Sequence, residues 1–488
     1  MKTFQENTIK KNFYAALLVI LLLLGSVICA YFIATQDVKT GAMVVVGIVG
    51  VGLGILSLVN PYFGFYFSIF IGFILFYIQR AFFLTGFGFV VEILEYVTFL
   101  GVLINRYIKK DASAVPAGGW SPVSVLMCVY LLYTIFESLN PGTHSMEGNL
   151  VYIREVAKQV VSYFIAVNLF RNIKDIKWFL FIWSVMMLLC AMYGCYQQWH
   201  GLTHNEMAWV TSSDTYIRLY RLDNWDFRKF STLTDPMSFG VLSAVSALIV
   251  LPVMLLSKDI KVKVVLLPSI IIMLLGMSYS STRTATFAFV IGVVLYILMN
   301  LNNKKTLIFA AASVMLFGIL MFGPFYGNVT LNRFRSTFNS HDASFDARNN
   351  NRKMVQPYIH SHPFGGGLSI TGTMGATYNP HHPMAAFPPD SGLLKFALEL
   401  GWVGLTLLCS IYFIIIRNGI HVYFKTRDPL IKKYSMVLVL ALFSFVVCQY
   451  SQVAVGQIPG VFLFYGLAAA ITRLHQQQKL DTAKKQIS

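Results

Sequence analysis

The residues of this chain best suited to chemistry are arginines placed close to apolar stretches. Arg283 follows Ser280, Ser281 and Thr282, and it lies between two long apolar runs. An arginine held at membrane depth costs about 2.5–3.5 kcal/mol on insertion scales, so its presence there indicates a function. A guanidinium beside hydroxyls is a good ligand set for phosphate or carboxylate, and Arg283 with Ser280 is therefore a predicted anion site. The structural alternative is an arginine whose head reaches the lipid headgroups.

A polar segment, residues 327–390, holds five more cations: Arg333, Arg335, Arg348, Arg352 and Lys353. Arg348 and Arg352 are four residues apart, so they face the same way if the stretch is helical. Two guanidiniums on one face suit a pyrophosphate, although they suit a membrane-surface helix equally well. Arg335 is a further predicted substrate ligand. The alternative is a solvated loop whose charge is balanced by its own aspartates.

Four histidines lie between residues 360 and 382, and Asp390 ends the polar segment. The histidines do not have the i, i+4 spacing of a helical zinc site and no cysteine accompanies them, so no metal is predicted. His362 and His382 are predicted to contact a substrate, and Asp390 is predicted to accept the proton of a hydroxyl group. Because Asp390 also precedes an apolar run, it is equally suited to cap that helix.

These residues occur in a chain with the composition of a membrane protein. Of its 488 residues, 56% are hydrophobic and 12% are charged, against about 25% charged in soluble domains, and the mean hydropathy is +0.64. We therefore predict an all-α polytopic bundle of about 12–14 transmembrane helices with one large loop at about 326–390. The apolar runs long enough to span are 13–34, 41–59, 61–78, 83–104, 120–139, 150–169, 178–198, 237–256, 264–281, 284–301, 306–325, 391–416, 435–454 and 457–472.

The placement of lysine and arginine predicts the orientation of the bundle. With the N-terminus in the cytoplasm, 23 of the 38 basic residues fall in cytoplasmic segments, and each of these segments except the one-residue link at Asn60 is basic. Topology thus explains the net charge of +17, and no nucleic-acid partner is predicted. The loops 199–236 and 326–390 then lie outside, where positive charge runs against the usual bias and indicates function. The first of these loops carries Arg218, Arg221, Arg228 and Lys229.

Charged side chains also occur inside predicted helices. Glu92 and Glu95 lie in the fourth apolar run, and Arg154, Glu155 and Lys158 lie in the sixth. The simplest interpretation is ion pairing between the two helices, and the other is a proton path of the kind that a transporter needs. The chain contains no glycine-rich motif ending in lysine and a hydroxyl residue, so nucleotide hydrolysis is not predicted.

Four short elements follow one another over about residues 230–410. A segment with Asp-Pro at a helix start, 230–240, comes first, and Ser280 to Arg283 ends an apolar run. A loop arginine then precedes His362-Pro363-Phe364-Gly365-Gly366-Gly367, and Asp390-Ser391-Gly392 is followed by Glu399-Leu400-Gly401-Trp402. In this order and topology the elements resemble the bacterial O-antigen ligase and polymerase family of integral membrane proteins.

The resemblance implies a GT-C-like membrane glycosyltransferase whose active face lies outside the bacterial inner membrane, with both termini in the cytoplasm. Its donor would be a glycan on undecaprenyl pyrophosphate, which polymerases pass to another lipid-linked repeat unit and ligases pass to lipid A-core. By the same resemblance, Arg283 and Arg348, with Arg352 as the other loop candidate, hold the pyrophosphate and stabilise it as the leaving group.

The resemblance also divides the chain and indicates partners. Residues 1–236 are the N-terminal helices and first external loop, and residues 237–488 are the ligase/polymerase-like domain. No metal or other cofactor is implied. Membrane lipids and other polysaccharide assembly proteins, such as a chain-length regulator, are expected partners.

The chain departs from the ligases at one position. They resemble one another in a histidine followed by asparagine where this chain has Asp390 and Ser391, and His381 and His382 are offset from that position. This difference favours a polymerase of O-antigen or exopolysaccharide. The alternatives are a ligase and, because of the glutamates in the fourth apolar run, a membrane transporter of an anionic or lipid-linked substrate.

Overall fold

A computed structural model of the chain describes residues 31, 38–82, 88–108, 120–222, 226–324, 327, 331–332, 335, 343–389 and 391–487. This part of the chain is helical and contains no strand beyond an isolated bridge between Arg221 and Phe227. The helices are α1 (Val38–Val59), α2 (Pro61–Phe82), α3 (Gly88–Leu103), α4 (Pro122–Glu137), α5 (Met146–Leu169), α6 (Ile173–His200), α7 (His204–Val210), α8 (Asp214–Tyr220), α9 (Pro236–Leu255), α10 (Ile260–Tyr279), α11 (Arg283–Met299), α12 (Lys304–Phe322), α13 (Ala343–Ser361), α14 (Gly372–Tyr378), α15 (Gly392–Glu399), α16 (Gly401–Lys425), α17 (Pro429–Gln449) and α18 (Gly460–Ile487).

Eight of these helices are long and apolar enough to cross a membrane, namely α2, α3, α6, α9, α10, α12, α16 and α17. Helices α4 and α11 are apolar but shorter. Each predicted run from 41–59 onwards coincides with one helix, except 391–416, which is divided between two; the first run, 13–34, lies outside the described residues apart from Tyr31. The predicted all-α, multi-pass membrane bundle is confirmed. The count of 12–14 crossings and the division at residue 236 stay predictions.

Helix α9 is the centre of the bundle. Its spanning window is 83% buried, and it packs against α10, α11 and α17. Small residues such as Gly240, Ser243 and Ala247 allow this close packing, and a Cβ on Gly240 would lie only 2.3 Å from Ser280 Oγ. The start of α9, the α10–α11 turn and the end of α17 are thereby brought to one end of the bundle, called the loop end below.

Ion pairs join α3 to α5 inside the bundle. Glu92 pairs with Arg154 (Nε–Oε2 3.1 Å) and with Lys158 (Nζ–Oε1 3.4 Å), and Glu95 accepts a short hydrogen bond from Ser162 Oγ. A lone buried charge is costly, and pairing with hydrogen bonds compensates that cost. The predicted pairing between these two helices is confirmed.

The single helix predicted over 391–416 is wrong, because the chain breaks at Leu400 into α15 and α16. Gly401 has φ of +64°, a region that favours glycine. The Trp402 N–H donates to Pro363 O (2.8 Å), while Leu398 O accepts from Gly366 N–H (2.8 Å). The backbone of residues 362–367 thus packs directly against the backbone at the break between α15 and α16. Side chains would not fit in this contact, which explains the glycine run in that segment.

We expect Gly401→Ala to destabilise the protein. A side chain in the left-handed region costs about 1–2 kcal/mol, and the added Cβ would lie 2.2 Å from Pro363 O. Thermal unfolding of the purified protein in detergent should show a lower midpoint. Gly318→Ala is the matched control, because no atom lies within 4 Å of its added Cβ. An unchanged midpoint for Gly401→Ala would contradict the docking described here.

Candidate functional site

Arg283 is the first residue of α11, not the last residue of the preceding helix as predicted. It follows a tight turn in which Ser281 has φ of +52°, and its side chain is half-buried. Thr282, the N-cap of α11, makes no side-chain capping hydrogen bond. The N–H groups of a first helical turn carry partial positive charge and attract anions. The Arg283 guanidinium therefore adds a full positive charge to an end that already favours anions.

Ser280 lies behind this turn and is fully buried. Its hydroxyl donates to Met277 O (2.6 Å) and accepts from Thr282 N–H (3.3 Å). These bonds give Ser280 a role in shaping the turn that presents Arg283. Its predicted role as a substrate ligand stays a prediction.

The loop before α9 holds the same turn in place. Arg228 donates from Nε to Ser280 O (3.1 Å) and from Nη2 to Thr282 Oγ1 (3.2 Å), and the Lys229 N–H donates to Tyr279 O (3.1 Å). The sequence marks Arg228 only as one of several basic residues in its loop. Ser280 and Thr282 lie more than fifty residues further on, and only the fold identifies Arg228 as a residue that positions the turn before Arg283.

The residues at the end of α17, 449–452, connect the segments that carry the predicted site; we call them the α17 turn. Arg352 of α13 donates to Tyr450 Oη (2.7 Å) and Tyr450 O (3.0 Å), and its guanidinium lies 4.2 Å from the centre of the Tyr450 ring. Thr284, the second residue of α11, shares a hydrogen bond with Ser451 (Oγ1–Oγ 2.8 Å). The α17 turn therefore links the loop arginines to the start of α11.

The segment that follows the polar loop is bound to the same turn. Ser391 Oγ donates to Gln449 O (3.0 Å), and the Gly392 N–H donates to Gln452 O (3.2 Å). Ser391 is also the N-cap of α15, so the capping role considered for Asp390 is taken by its neighbour. Asp390 itself lies outside the described residues.

Arg348 lies one helical turn before Arg352 on α13, which is the shared face expected if this stretch is helical. Its side chain is half-buried, and none of the residues that the structure describes forms a hydrogen bond or ion pair with it. Val355 and Ile359 anchor α13 by packing in an apolar cluster with residues of α15. Arg348 is thus held near the α17 turn with its charge available to a ligand.

Arg335 is bound at the end of α12. Its Nε donates to Leu320 O (2.9 Å) and its Nη2 donates to Gly323 O. Cations are favoured at helix C-termini, where the last carbonyls lack partners within the helix. Arg335 is therefore a capping residue of α12, and its role as a substrate ligand stays a prediction.

His362 and His382 both contact Tyr358 of α13. The His362 ring stacks on the Tyr358 ring with centroids 4.0 Å apart, and Tyr358 Oη lies 3.0 Å from His382 Nε2. The Met384 N–H donates to His382 Nδ1 (3.1 Å), so the proton of the neutral imidazole belongs on Nε2 and is donated to Tyr358 Oη. These contacts build the loop, and substrate contact by either histidine stays a prediction.

Burial lowers the pKa of His382 below its usual value, and the nearby His362 and His144 lower it further by charge repulsion. The imidazole is therefore neutral near neutral pH. Within the described residues no group of three or more His, Cys, Asp or Glu side chains is arranged to hold a metal ion.

The fold and these contacts define a multi-pass helical membrane protein with arginines gathered at one end of its bundle. Residues 268–409, from the middle of α10 into α16, match the family model described as O-Antigen ligase. This match confirms the resemblance to the O-antigen ligase and polymerase family, and it spans Arg283, α13 and the segment around residue 390. The match covers less than half of the chain and supports membrane glycan processing of the ligase or polymerase type. No curated protein matches the chain.

We expect the loop around Tyr358 to loosen in acid. Because folding lowers the pKa of His382, the unfolded loop binds the proton more tightly, so this stabilising contribution is complete above about pH 6.5 and is lost as the pH falls. Limited proteolysis within residues 343–389 should accelerate between about pH 7.5 and about pH 5.5. His382→Gln should flatten this dependence, and His381→Gln, at an exposed neighbour, should not. Identical pH profiles for His382→Gln and wild type would contradict the assignment.

Proposed function

We propose that this protein polymerises undecaprenyl-pyrophosphate-linked oligosaccharide repeat units into O-antigen or exopolysaccharide at the outer face of the bacterial inner membrane. The family match supports membrane glycan transfer of the ligase or polymerase type. The observation that carries the proposal is the convergence of the start of α11, α13 and residue 391 on the α17 turn. This arrangement brings the cations that a pyrophosphate requires to residue 391, which directly follows Asp390, the proposed base, in the sequence.

In the proposed reaction, Arg283 and Arg348 bind the pyrophosphate of the donor. The bond between the anomeric carbon and the pyrophosphate oxygen breaks, and the acceptor hydroxyl oxygen forms the new glycosidic bond to that carbon. Asp390 accepts the hydroxyl proton, and undecaprenyl pyrophosphate leaves with the bonding electron pair. Negative charge grows on the pyrophosphate as the bond breaks, so fixed cations and the N-terminus of α11 stabilise the transition state more than the ground state.

Arg352 has a different role in this scheme. Its guanidinium is already bound to the side chain and carbonyl of Tyr450, so it positions α13 and thereby Arg348. We assign Arg352 as a positioning residue that also adds positive charge to the site.

Two observations bear on the alternatives. Asp390-Ser391 replaces the His-Asn pair of the ligases, and the Ser391 hydroxyl is engaged with Gln449 O, which supports a polymerase over a ligase. The transporter alternative rested on glutamates of α3, and Glu92 is neutralised there by Arg154 and Lys158. The family description keeps the ligase as the second candidate.

We expect Arg283→Ala and Arg348→Ala each to slow chain extension by about 100-fold or more, since removal of one preorganised donor to a developing anion costs about that much. The rate is measured as the ladder of longer glycans that the purified protein makes from lipid-linked repeat units isolated from a deletion strain. Lys353→Ala is the matched control, because Lys353 is an exposed cation on the same helix.

A deletion strain separates the candidate functions. Accumulation of single repeat units supports the polymerase, whereas accumulated lipid-linked polymer with unmodified lipid A-core supports the ligase. Unchanged glycan chain length in the deletion strain contradicts both. Full activity of well-expressed Arg283→Ala and Arg348→Ala proteins would remove the proposed pyrophosphate site.

A further inference from the structure

A cavity of about 730 Å³ lies at the end of the bundle opposite the loop end. It is formed by the ends of α9, α11 and α16, the α11–α12 turn and the first residues of α17. Its volume falls within the range of about 300–1,000 Å³ that is typical of small-molecule sites. Among the described residues that line it, Lys432 and Lys433 are charged and none is acidic. The cavity therefore carries positive charge.

Tyr423 and Asn300 shape this cavity and are satisfied within the protein. Tyr423 Oη lies 2.8 Å from Asn300 Oδ1 and 3.0 Å from Met299 O. Asn300 Nδ2 donates in turn to Tyr296 O (3.0 Å). These bonds join the end of α11 to the end of α16, so the two side chains build the wall and offer no free polar group to a ligand.

The two lysines differ from these groups because no acid neutralises them. Neither Lys432 nor Lys433 forms an ion pair with a described residue, and Lys432 Nζ lies 5.0 Å from the centre of the Tyr423 ring. Asp428, the nearest acid in the sequence, caps α17 and accepts from the Leu430 N–H (2.7 Å). Both lysines lie within the first five residues of α17, where the helix dipole disfavours cations. An anion bound in the cavity would offset both unfavourable charges.

The surroundings of the cavity are apolar and face the bilayer. Helix α12 begins at its edge, and only 6% of the spanning window of this helix is buried. Leu307 and Ile308 are exposed in the first turns of α12, and Leu256 and Phe424 are exposed apolar residues of the cavity lining. A soluble anion would make no use of this apolar surface. A lipid uses both, because its headgroup needs the cations and its acyl chains need the apolar surface.

We propose that this cavity binds the headgroup of an anionic glycerophospholipid of the phosphatidylglycerol type. Lys432 and Lys433 contact the phosphate, and the acyl chains follow the exposed face of α12. Basic pockets between membrane helices recognise anionic headgroups in this way. The inference goes beyond the proposed function, since it concerns the end of the bundle opposite the arginine site. The bound lipid connects α12, which has little protein around it, to α17.

The test is a binding measurement on the purified full-length protein in detergent. Native mass spectrometry follows titrations with phosphatidylglycerol and with zwitterionic phosphatidylcholine of the same acyl chains. The double variant Lys432→Gln/Lys433→Gln should bind phosphatidylglycerol about 25-fold more weakly, since each lysine near an anionic lipid contributes about fivefold. Its binding of phosphatidylcholine should not change, and Lys432→Arg/Lys433→Arg should retain the preference for phosphatidylglycerol.

The matched control is Lys174→Gln/Lys261→Gln, which removes two exposed lysines at the same end of the bundle but outside the cavity. It should bind phosphatidylglycerol like wild type. Asn302→Trp places a large side chain at the exposed edge of the cavity without changing the charge, so it should also weaken binding, and it serves if the double glutamine variant fails to fold.

Three results would overturn the lipid site. They are equal weakening by the cavity and control variants, equal wild-type affinity for the two lipids, and displacement of phosphatidylglycerol by inorganic phosphate, which would assign the cavity to a soluble anion. None of these measurements involves chain extension, so failure of the lipid site leaves the proposed function unaffected.

Discussion

The site depends on one constraint: the backbone carbonyl groups at the end of α17 need hydrogen-bond donors. The last carbonyls of a helix have no partner within the helix and must find one elsewhere. Here the carbonyls of Gln449, Tyr450 and Gln452 accept from Ser391, from the Arg352 guanidinium and from Gly392. The hydrogen bonds that complete one buried helix therefore also determine where a loop arginine and residue 391 lie. The hydroxyl pair of Thr284 and Ser451 adds the start of α11 to the same place.

Several arginines at the loop end bind backbone carbonyls, and Arg283 and Arg348 are proposed to bind the substrate. Arg80, Arg228, Arg335 and Arg352 donate to backbone carbonyls at turns and helix ends, and Arg80 also lies over the Phe230 ring at 4.6 Å. These hydrogen bonds from charged guanidinium groups to carbonyl oxygens hold irregular backbone segments in place where water is scarce. Arg348 makes no such bond among the described residues. Several basic residues of the loops therefore build the scaffold.

Length and hydropathy predicted the helices because both act locally along the chain. Length and hydropathy did not predict the features that depend on contacts with distant parts of the chain. The run over 391–416 is continuously apolar, and its break at Gly401 comes from residues 362–367 docking on it. The i, i+4 spacing of Arg348 and Arg352 predicted their common face, but Tyr450, 98 residues from Arg352, has no signal in the sequence that marks it as a partner. The arginines could thus be chosen from the sequence, while the turn that assembles them could not.

The connections of the α17 turn have a consequence for biosynthesis. Its bonds join residues separated along the chain by 58 (Ser391 to Gln449), 98 (Arg352 to Tyr450) and 167 (Thr284 to Ser451) positions. Chains are made from the N-terminus at about 5–20 residues per second, and contacts of large sequence separation form late. The proposed anion site therefore cannot assemble until α17 has left the ribosome and entered the bilayer. A nascent chain that has inserted only the helices before α17 lacks the turn that brings Arg352, residue 391 and the start of α11 together.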